Sequence, residues 1–581
     1  MDAHVNRLEY SENRLSQILV LLAFVALAVF ILFSNRFDWD HFFSAAEVEL
    51  RSWLLDKKPP LWSYQFCGGT TRAGDPQSFG LSPIFLPILL FGSFFGLKIL
   101  VFSLFVIGFI FAFRIASLFY SFLTGKENFE AQTKLDLRLL SLLFVFGNYF
   151  LWHVHHGHIT FALIFLLIAI FYYFLKAIIS SISAKDLGLL SVFSFCYFSA
   201  GIYHSIVFFA LPSAIAGFLL LVFLLMFRSF SRLVSSDFVS NILKAGAAAA
   251  IGLILASYKL FYIFQYQRLF PRDLRGMVNE QTVLLKTFLF QAIPTFRYNF
   301  VVGSHTDPFL IWEYSAFNWL FWITGFAAIT SVVVRLRRKQ VFQEVPNPKW
   351  AFVGAIAACF AVAGAYFSLG DSWQYSGFVL MNKLLSGSVR VVGRYQVMFA
   401  FAFFILAVPA YIYLKTHFAR RLRPALVLLL GLTLINFLTF YTTLDPASAF
   451  SIPQSPYFLI EKMQVVATAR PRNDQASYNY PVTLTGAAVL NCYQPMARPT
   501  VVSAEFASSQ AIVPLTMLPL LADETKPGIP QACIDKTYFT QNELVIDQSC
   551  PKGVCFNLNA ENIYSKKTQL HFDPKRRMLC L

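Results

Sequence analysis

Two carboxylates flank a tryptophan in NRFDWDHFF, residues 35–43, directly after the apolar run QILVLLAFVALAVFILFS. Acids at the first exit from a bilayer have two uses: a charged edge in water, or a base. In an extended segment Asp38 and Asp40 share a face, whereas on a helix they lie about 200° apart. Phe37, Trp39 and Phe42 would anchor such a segment at headgroup level. A carboxylate partly withdrawn from water holds its proton more tightly and is a better general base toward an alcohol.

Three further stretches carry residue types that could complete a site. PLWSYQFCGGTTRAGDPQSFGLSP (60–83) is a folded loop by its glycines and Gly74-Asp75-Pro76. Trp62, Tyr64 and Phe66 alternate in it, as a stacking wall for a sugar ring or prenyl chain, or as a turn-rich approach to the next span. HVHHGHIT (153–160) places histidines at a span's end; His153 with His156, or His155 with His158, could share a helical face and bind metal. The other reading is a set of polar residues closing an interfacial helix, with Tyr203 and His204 on the same side. Arg268, Arg272, Arg275 and Arg297, and then Arg390 and Arg394 in GSVRVVGRY, form basic clusters on the side where cations are otherwise depleted. A guanidinium fork suits phosphate oxygens; pairing with Glu280, Asp307 or Glu313 is the structural alternative.

The elements that must position these residues are set by composition. Of 581 residues, 57% are apolar and 13% charged, about half the charge of a soluble chain. A membrane helix needs about 20 apolar residues to cross about 30 Å of hydrocarbon. About eleven stretches qualify, near 15–34, 96–118, 138–152, 159–178, 187–201, 206–227, 242–262, 317–334, 350–369, 396–414 and 424–442. SPIFLPILLFGSFFG (82–96) reads as a re-entrant or interfacial helix. The first span lacks a small-residue cleavage site and is expected to remain as an anchor.

Basic residues orient the spans. RLRRK (335–339) and KTHFARRLR (415–423) carry no acid and belong on the cytoplasmic side. The segment 35–81 and everything after about residue 443 are then exported. That tail holds 12 basic and 11 acidic residues, a net of +1, so the chain's +16 resides almost wholly in the membrane part. It is a topology signal, and nucleic acid is excluded as a partner. Cys196 and Cys359 lie within spans as packing residues; Cys67, Cys492, Cys533, Cys550, Cys555 and Cys580 fall on the exported side, where disulfides can form. Sequence does not assign the pairs. The organisation expected is a polytopic helical membrane domain, 1–442, with a large exported first loop, 35–81. A small exported β-rich or mixed domain follows at 443–581, after the Pro/Ser-rich LDPASAFSIPQSP.

The acids after the first span, followed by PLWxxxxCGGxxxxxDPQSxxxxP, resemble the bacterial GT-C membrane glycosyltransferases, in their YfhO-like branch. Gly157-His158, WEYSAF (312–317) and VRVVGRY (389–395) are similar to that branch too, in order, over most of 15–442. Ser63 stands where the branch usually has Asn after the tryptophan. The resemblance implies inverting transfer of a sugar from a polyprenyl-phosphate donor to a hydroxyl of a cell-envelope glycan or lipid, at the outer face of a bacterial inner membrane. It implies a first-loop base, Asp38 or Asp40; the arginines Arg390, Arg394 and Arg297, by their place and their fork of donors, are the expected contacts to the donor phosphate. Trp62, Tyr64, Gly68, Gly69, Asp75, Gln77, His158 and Glu313 become the expected substrate-contacting set. No nucleotide site is needed, no cofactor is singled out, and a divalent metal stays open. The alternative is a transporter or flippase for a lipid-linked saccharide, which needs charged or broken helices near the midplane; most spans here are apolar at their centres.

Overall fold

The computed structural model describes residues 2–34, 39–63, 70–155, 157–200, 209–226, 237–269, 318–337, 348–370, 373–384 and 392–442, with short strands further on. Side chains are described for most of these from residue 17 to residue 435. Each apolar stretch found in the sequence carries a helix over its described residues. Five helices are long and apolar enough to cross a membrane: Pro83–Thr124, Ile159–Ile179, Phe238–Leu255, Pro348–Ser368 and Gly393–Phe418. Ala131–Val145 and Asn148–His155, joined at a 43° bend, make a sixth if taken together. Gln17–Phe33, Leu211–Phe223 and Trp319–Val334 are shorter apolar helices. The chain is a helical, membrane-embedded protein.

Its packing is that of a bundle turned outward to lipid. Large apolar side chains such as Leu21, Leu243, Ile254 and Ile329 stay exposed, which a water-facing surface would not tolerate in such number. Close helix approach uses small residues. In α9 (Phe238–Leu255) a Cβ on Gly252 would sit 2.5 Å from the Ser191 carbonyl of α7 (Ala184–Ser199), and Ser191 Oγ donates to the Ala248 carbonyl at 2.8 Å.

Four elements matter for the site. Helix α1 (Asp2–Phe33) runs to the exit at Ser34. Residues 39–54, expected within a loop, form a helix, α2 (Trp39–Leu54), buried along most of its length. Helix α3 (Leu86–Thr124) follows a 3-10 turn, Pro83–Phe85, takes in the rest of the 82–96 stretch and breaks at Gly92, whose φ is +79°. A Cβ on Gly96 would lie 2.4 Å from Ile88 Cα, so only glycine lets the chain turn back so closely. Helix α4 (Ala131–Val145) bends into α5 (Asn148–His155), where the sequence suggested one span over 138–152.

At the far end of the bundle α4 meets the last long helix, Gln396–Thr442, which is interrupted at Phe418. Asp136 accepts from Tyr411 Oη at 2.8 Å and from Arg423 Nε at 3.2 Å, and Lys415 Nζ donates to Thr133 Oγ1 at 2.6 Å. Arg394 and Lys415 are 21 positions apart along this run, about 30 Å at 1.5 Å per residue. The basic segment 415–423 and Arg394 therefore stand at opposite ends of the bundle.

Beyond residue 443 the described pieces are short strands. Gln464–Val466 pairs parallel with Ala488–Val489 and antiparallel with Ile512–Pro514. Met578–Cys580 lies between Cys555–Phe556 and His571–Asp573, with Cys580 opposite Cys555 in register. The remainder of the 443–581 region lies outside the described residues.

Candidate functional site

Lys98 fixes the way the chain leaves α1. It is buried in α3, and its Nζ donates to the carbonyls of Ile31, Leu32 and Ser34 at 2.8, 3.0 and 3.0 Å. Three N–H donors thus meet three carbonyls at a helix C-terminus, where a cation is also favoured by the dipole. The ammonium stands 4.7 Å from the Trp39 ring centroid and 5.0 Å from that of Phe94. One side chain thereby ties the end of α1 to the start of α2.

Helix α2 carries the acids. Asp40 lies in its first turn, 7% exposed, not in an extended segment. A carboxylate there is favoured by the helix dipole. Beside it, Trp39 is fully buried and its indole Nε1 donates to the Val154 carbonyl at 2.7 Å. Val154 belongs to the HVHHGHIT stretch, so the acid-bearing turn is attached to the histidine segment across 115 positions of sequence. Changing Trp39 to Phe removes the indole donor while the Val154 carbonyl keeps the Gly157 N–H at 3.0 Å, so the expected cost is that of one hydrogen bond, about 0.5–1.5 kcal/mol. Thermal inactivation in detergent reads this directly, and an unchanged midpoint would show the bond contributes nothing.

The histidine segment in turn receives Arg394. His153 stacks on Phe161 with ring centroids 3.9 Å apart, and His158 lies 5.7 Å from His153. The Arg394 guanidinium carbon is 5.3 Å from the Phe161 ring centroid, within the reach of a cation–π contact. Tyr149 Oη donates to the Arg394 carbonyl at 2.8 Å, fixing the backbone of this residue. Gly157, with φ of +81°, permits the turn between α5 and the 3-10 turn Ile159–Leu163. Among the described residues no group of three or more His, Cys, Asp or Glu is placed to hold a metal.

The other half of α2 is held by the first-loop motif. Arg72 is 0% exposed and donates through Nε and Nη2 to Glu49 Oε1 at 3.0 and 2.6 Å, and through Nη1 to Asp75 Oδ2 at 2.8 Å. Burial alone would lower its proton affinity, but the charges of Glu49 and Asp75 outweigh it and hold the guanidinium above its ordinary pKa. Asp75 Oδ1 accepts from the Gln77 backbone N–H at 2.8 Å, so both its oxygens are engaged inside the protein. Lys259, from the helix Ser257–Leu269, donates to the Arg72 and Asp75 carbonyls at 3.1 and 2.8 Å. A Cβ on Gly80 would lie 2.9 Å from Glu49, and Trp53 Nε1 donates to the Gly80 carbonyl at 2.8 Å. Glu47 is shared between Arg51 Nε and Ser93 Oγ, both at 2.7 Å.

Two groups of expected residues therefore meet α2 at different points. The N-terminal turn, which carries Asp40, is tied through Trp39 to Val154, and in the same histidine segment His158 lies beside His153 while Arg394 stands over Phe161. Asp75 and Gln77 gather around Glu49, nine positions further and about 14 Å along the axis. Asp38, Tyr64, Gly68, Gly69, Arg297, Glu313 and Arg390 lie outside the described residues, as do His156, Tyr203 and His204; of Trp62 only the backbone is described, pairing with Thr71. Lys98, Glu49, Arg72 and Lys259 were not singled out from sequence. Lys98 had a signal, being a lone charge inside a long apolar run. No protein-family model matches this chain, and no curated protein is significantly similar to it.

Proposed function

We propose that this protein is a membrane glycosyltransferase of the GT-C type that uses a polyprenyl-phosphate sugar. The observation that carries the reading is the bond from Trp39, the neighbour of Asp40, to the histidine segment, whose Phe161 ring in turn meets Arg394, three remote parts of the chain joined at one end of an apolar bundle. An acid and an arginine at a bilayer edge suit a donor whose prenyl chain stays in lipid while its phosphate reaches the surface. The acceptor hydroxyl attacks the anomeric carbon, and the bond from that carbon to the phosphate oxygen breaks. The hydroxyl proton passes to the carboxylate of Asp38 or Asp40. Polyprenyl phosphate leaves, its developing charge met by Arg394, with Arg390 and Arg297 as further candidates.

With the N-terminus and the basic segments 335–339 and 415–423 on the cytoplasmic side, about eleven crossings put this end of the bundle on the outer face of a bacterial inner membrane. The region 443–581 then forms an exported domain, and the acceptor is a cell-envelope glycan or lipid. The break between α4 and α5 favours a second reading, because discontinuous helices also build the sites of transporters. A flippase for a lipid-linked saccharide would bind the same donor without cleaving it.

Purified protein in detergent, given a polyprenyl-phosphate sugar and an acceptor extract, separates the two. Sugar transfer supports the enzyme; binding without release under every acceptor tried supports the flippase. Within that assay, Arg394→Ala is expected to raise donor KM about tenfold or more, and Arg394→Lys to recover only part, because it keeps charge and loses the fork. An unchanged donor KM in Arg394→Ala would remove the phosphate role.

A further inference from the structure

We infer that Cys555 and Cys580 are joined by a disulfide bond. The inference is independent of any sugar-transfer activity and rests on the exported setting proposed for the region 443–581. Cysteines outside the apolar spans stand at Cys67, Cys492, Cys533, Cys550, Cys555 and Cys580, which leaves many possible pairings. Spacing alone favours the nearest two, Cys550 and Cys555 of CPKGVC. The backbone register favours a different pair.

Strand Met578–Cys580 runs antiparallel to Cys555–Phe556, with Leu579 opposite Phe556 and Cys580 opposite Cys555. Residues directly opposite in an antiparallel pair share a face of the sheet. Their Cα atoms lie about 4.5 or 5.5 Å apart, according to whether the two residues exchange ladder hydrogen bonds. A disulfide spans Cα separations of about 4.4–6.8 Å. Either kind of position therefore accepts the bond without moving the strands. A thiol joined to Cys580 is no longer open to Cys550, so the register decides against the short loop.

His571 stands opposite Cys580 on the other side of the central strand. Cys555, Cys580 and His571 thus form one row across three strands, and thiolate and imidazole are also zinc ligands. The outer members of that row are two strand spacings apart, about 9.5 Å. A disulfide needs only the neighbouring two, which is what the row supplies. The bond forms by exchange with an oxidised dithiol protein of the exported compartment. One thiolate attacks the oxidant's disulfide, and the other then displaces the mixed disulfide so formed. Two electrons and two protons pass to the oxidant, which leaves as a dithiol.

The test uses the full-length protein, taken from membranes, denatured in iodoacetamide and digested with trypsin without reduction. Lys552, Lys566 and Arg577 are cleavage sites, so Cys550, Cys555 and Cys580 fall on separate peptides. The product expected by mass spectrometry is 553–566 joined to the peptide that begins at Met578. Cys555→Ser and Cys580→Ser should each expose one further alkylated thiol, on the other cysteine of the pair. The double variant should expose none beyond wild type. If a variant does not fold, the wild-type map decides by itself. Alkylation of both cysteines in wild type overturns the inference, whether or not zinc is retained. A link from 537–552 to 553–566, or from Cys580 to any other cysteine, overturns it too.

Discussion

Asp38→Asn is expected to slow sugar transfer by about 10²- to 10⁴-fold while leaving donor binding intact, because Asn keeps the shape and cannot take a proton. That range is about 3–5 kcal/mol of barrier. Asp40→Asn is expected to be milder. Asp40 starts α2 next to the Trp39 anchor, so it suits orienting the base or the acceptor, and Asn is itself well accepted at helix starts. Single-turnover rates at saturating donor separate the chemical step from binding, and the donor affinity of each variant is the control for folding. If both variants turn over at the wild-type rate, the two acids are a charged edge and the proposed mechanism fails.

Arg72→Met is the substitution expected to damage stability most. It leaves Glu49, 1% exposed, and Asp75, 2% exposed, buried without their cation. Breaking a buried pair from one side typically costs about 3–5 kcal/mol. Removing both charges with Arg72→Met and Glu49→Gln together should recover part of that loss, since fewer charges are then stranded. Unfolding of a membrane protein of this size is best read as a rate, so half-lives of inactivation in detergent are the measure. A wild-type half-life in Arg72→Met would show that the cluster is not holding the first loop. The folded pKa of Arg72 is raised, so its contribution is fully present below its unfolded pKa and is lost only as pH rises through the folded one. Both lie in strong alkali, so Arg72 itself stays charged through the acid and neutral range.

Hydropathy made the helices legible, because the bilayer demands long apolar runs whatever else the chain does. It showed one break and missed another. Setting 82–96 apart from the span at 96–118 put a break within a few residues of Gly92, whereas the bend after Val145 fell inside the single span expected at 138–152, because it depends on what the chain packs against. The helix 39–54 escaped notice because its charges suggest a loop; EVELR in fact spaces Glu47 and Arg51 at i and i+4, the helical ion-pair interval. At the site, Asp40, His158 and Arg394 were legible as types of residue. Their meeting was not, since it runs through the Trp39 indole, a backbone carbonyl at Val154 and the Phe161 ring. Arg72 looked like one more loop residue until Glu49 of α2 stood opposite it.

Lys98 also bears on how the protein is made. During synthesis α1 emerges before α3, and an isolated α3 would carry a bare ammonium to the bilayer edge, which is costly in an apolar helix. Three carbonyls at the end of α1 remove that cost. The third helix therefore has a reason to enter the membrane against the first and in a fixed register. The turn bearing Asp40 is drawn into place in the same event, long before the segment that supplies Arg394 leaves the ribosome.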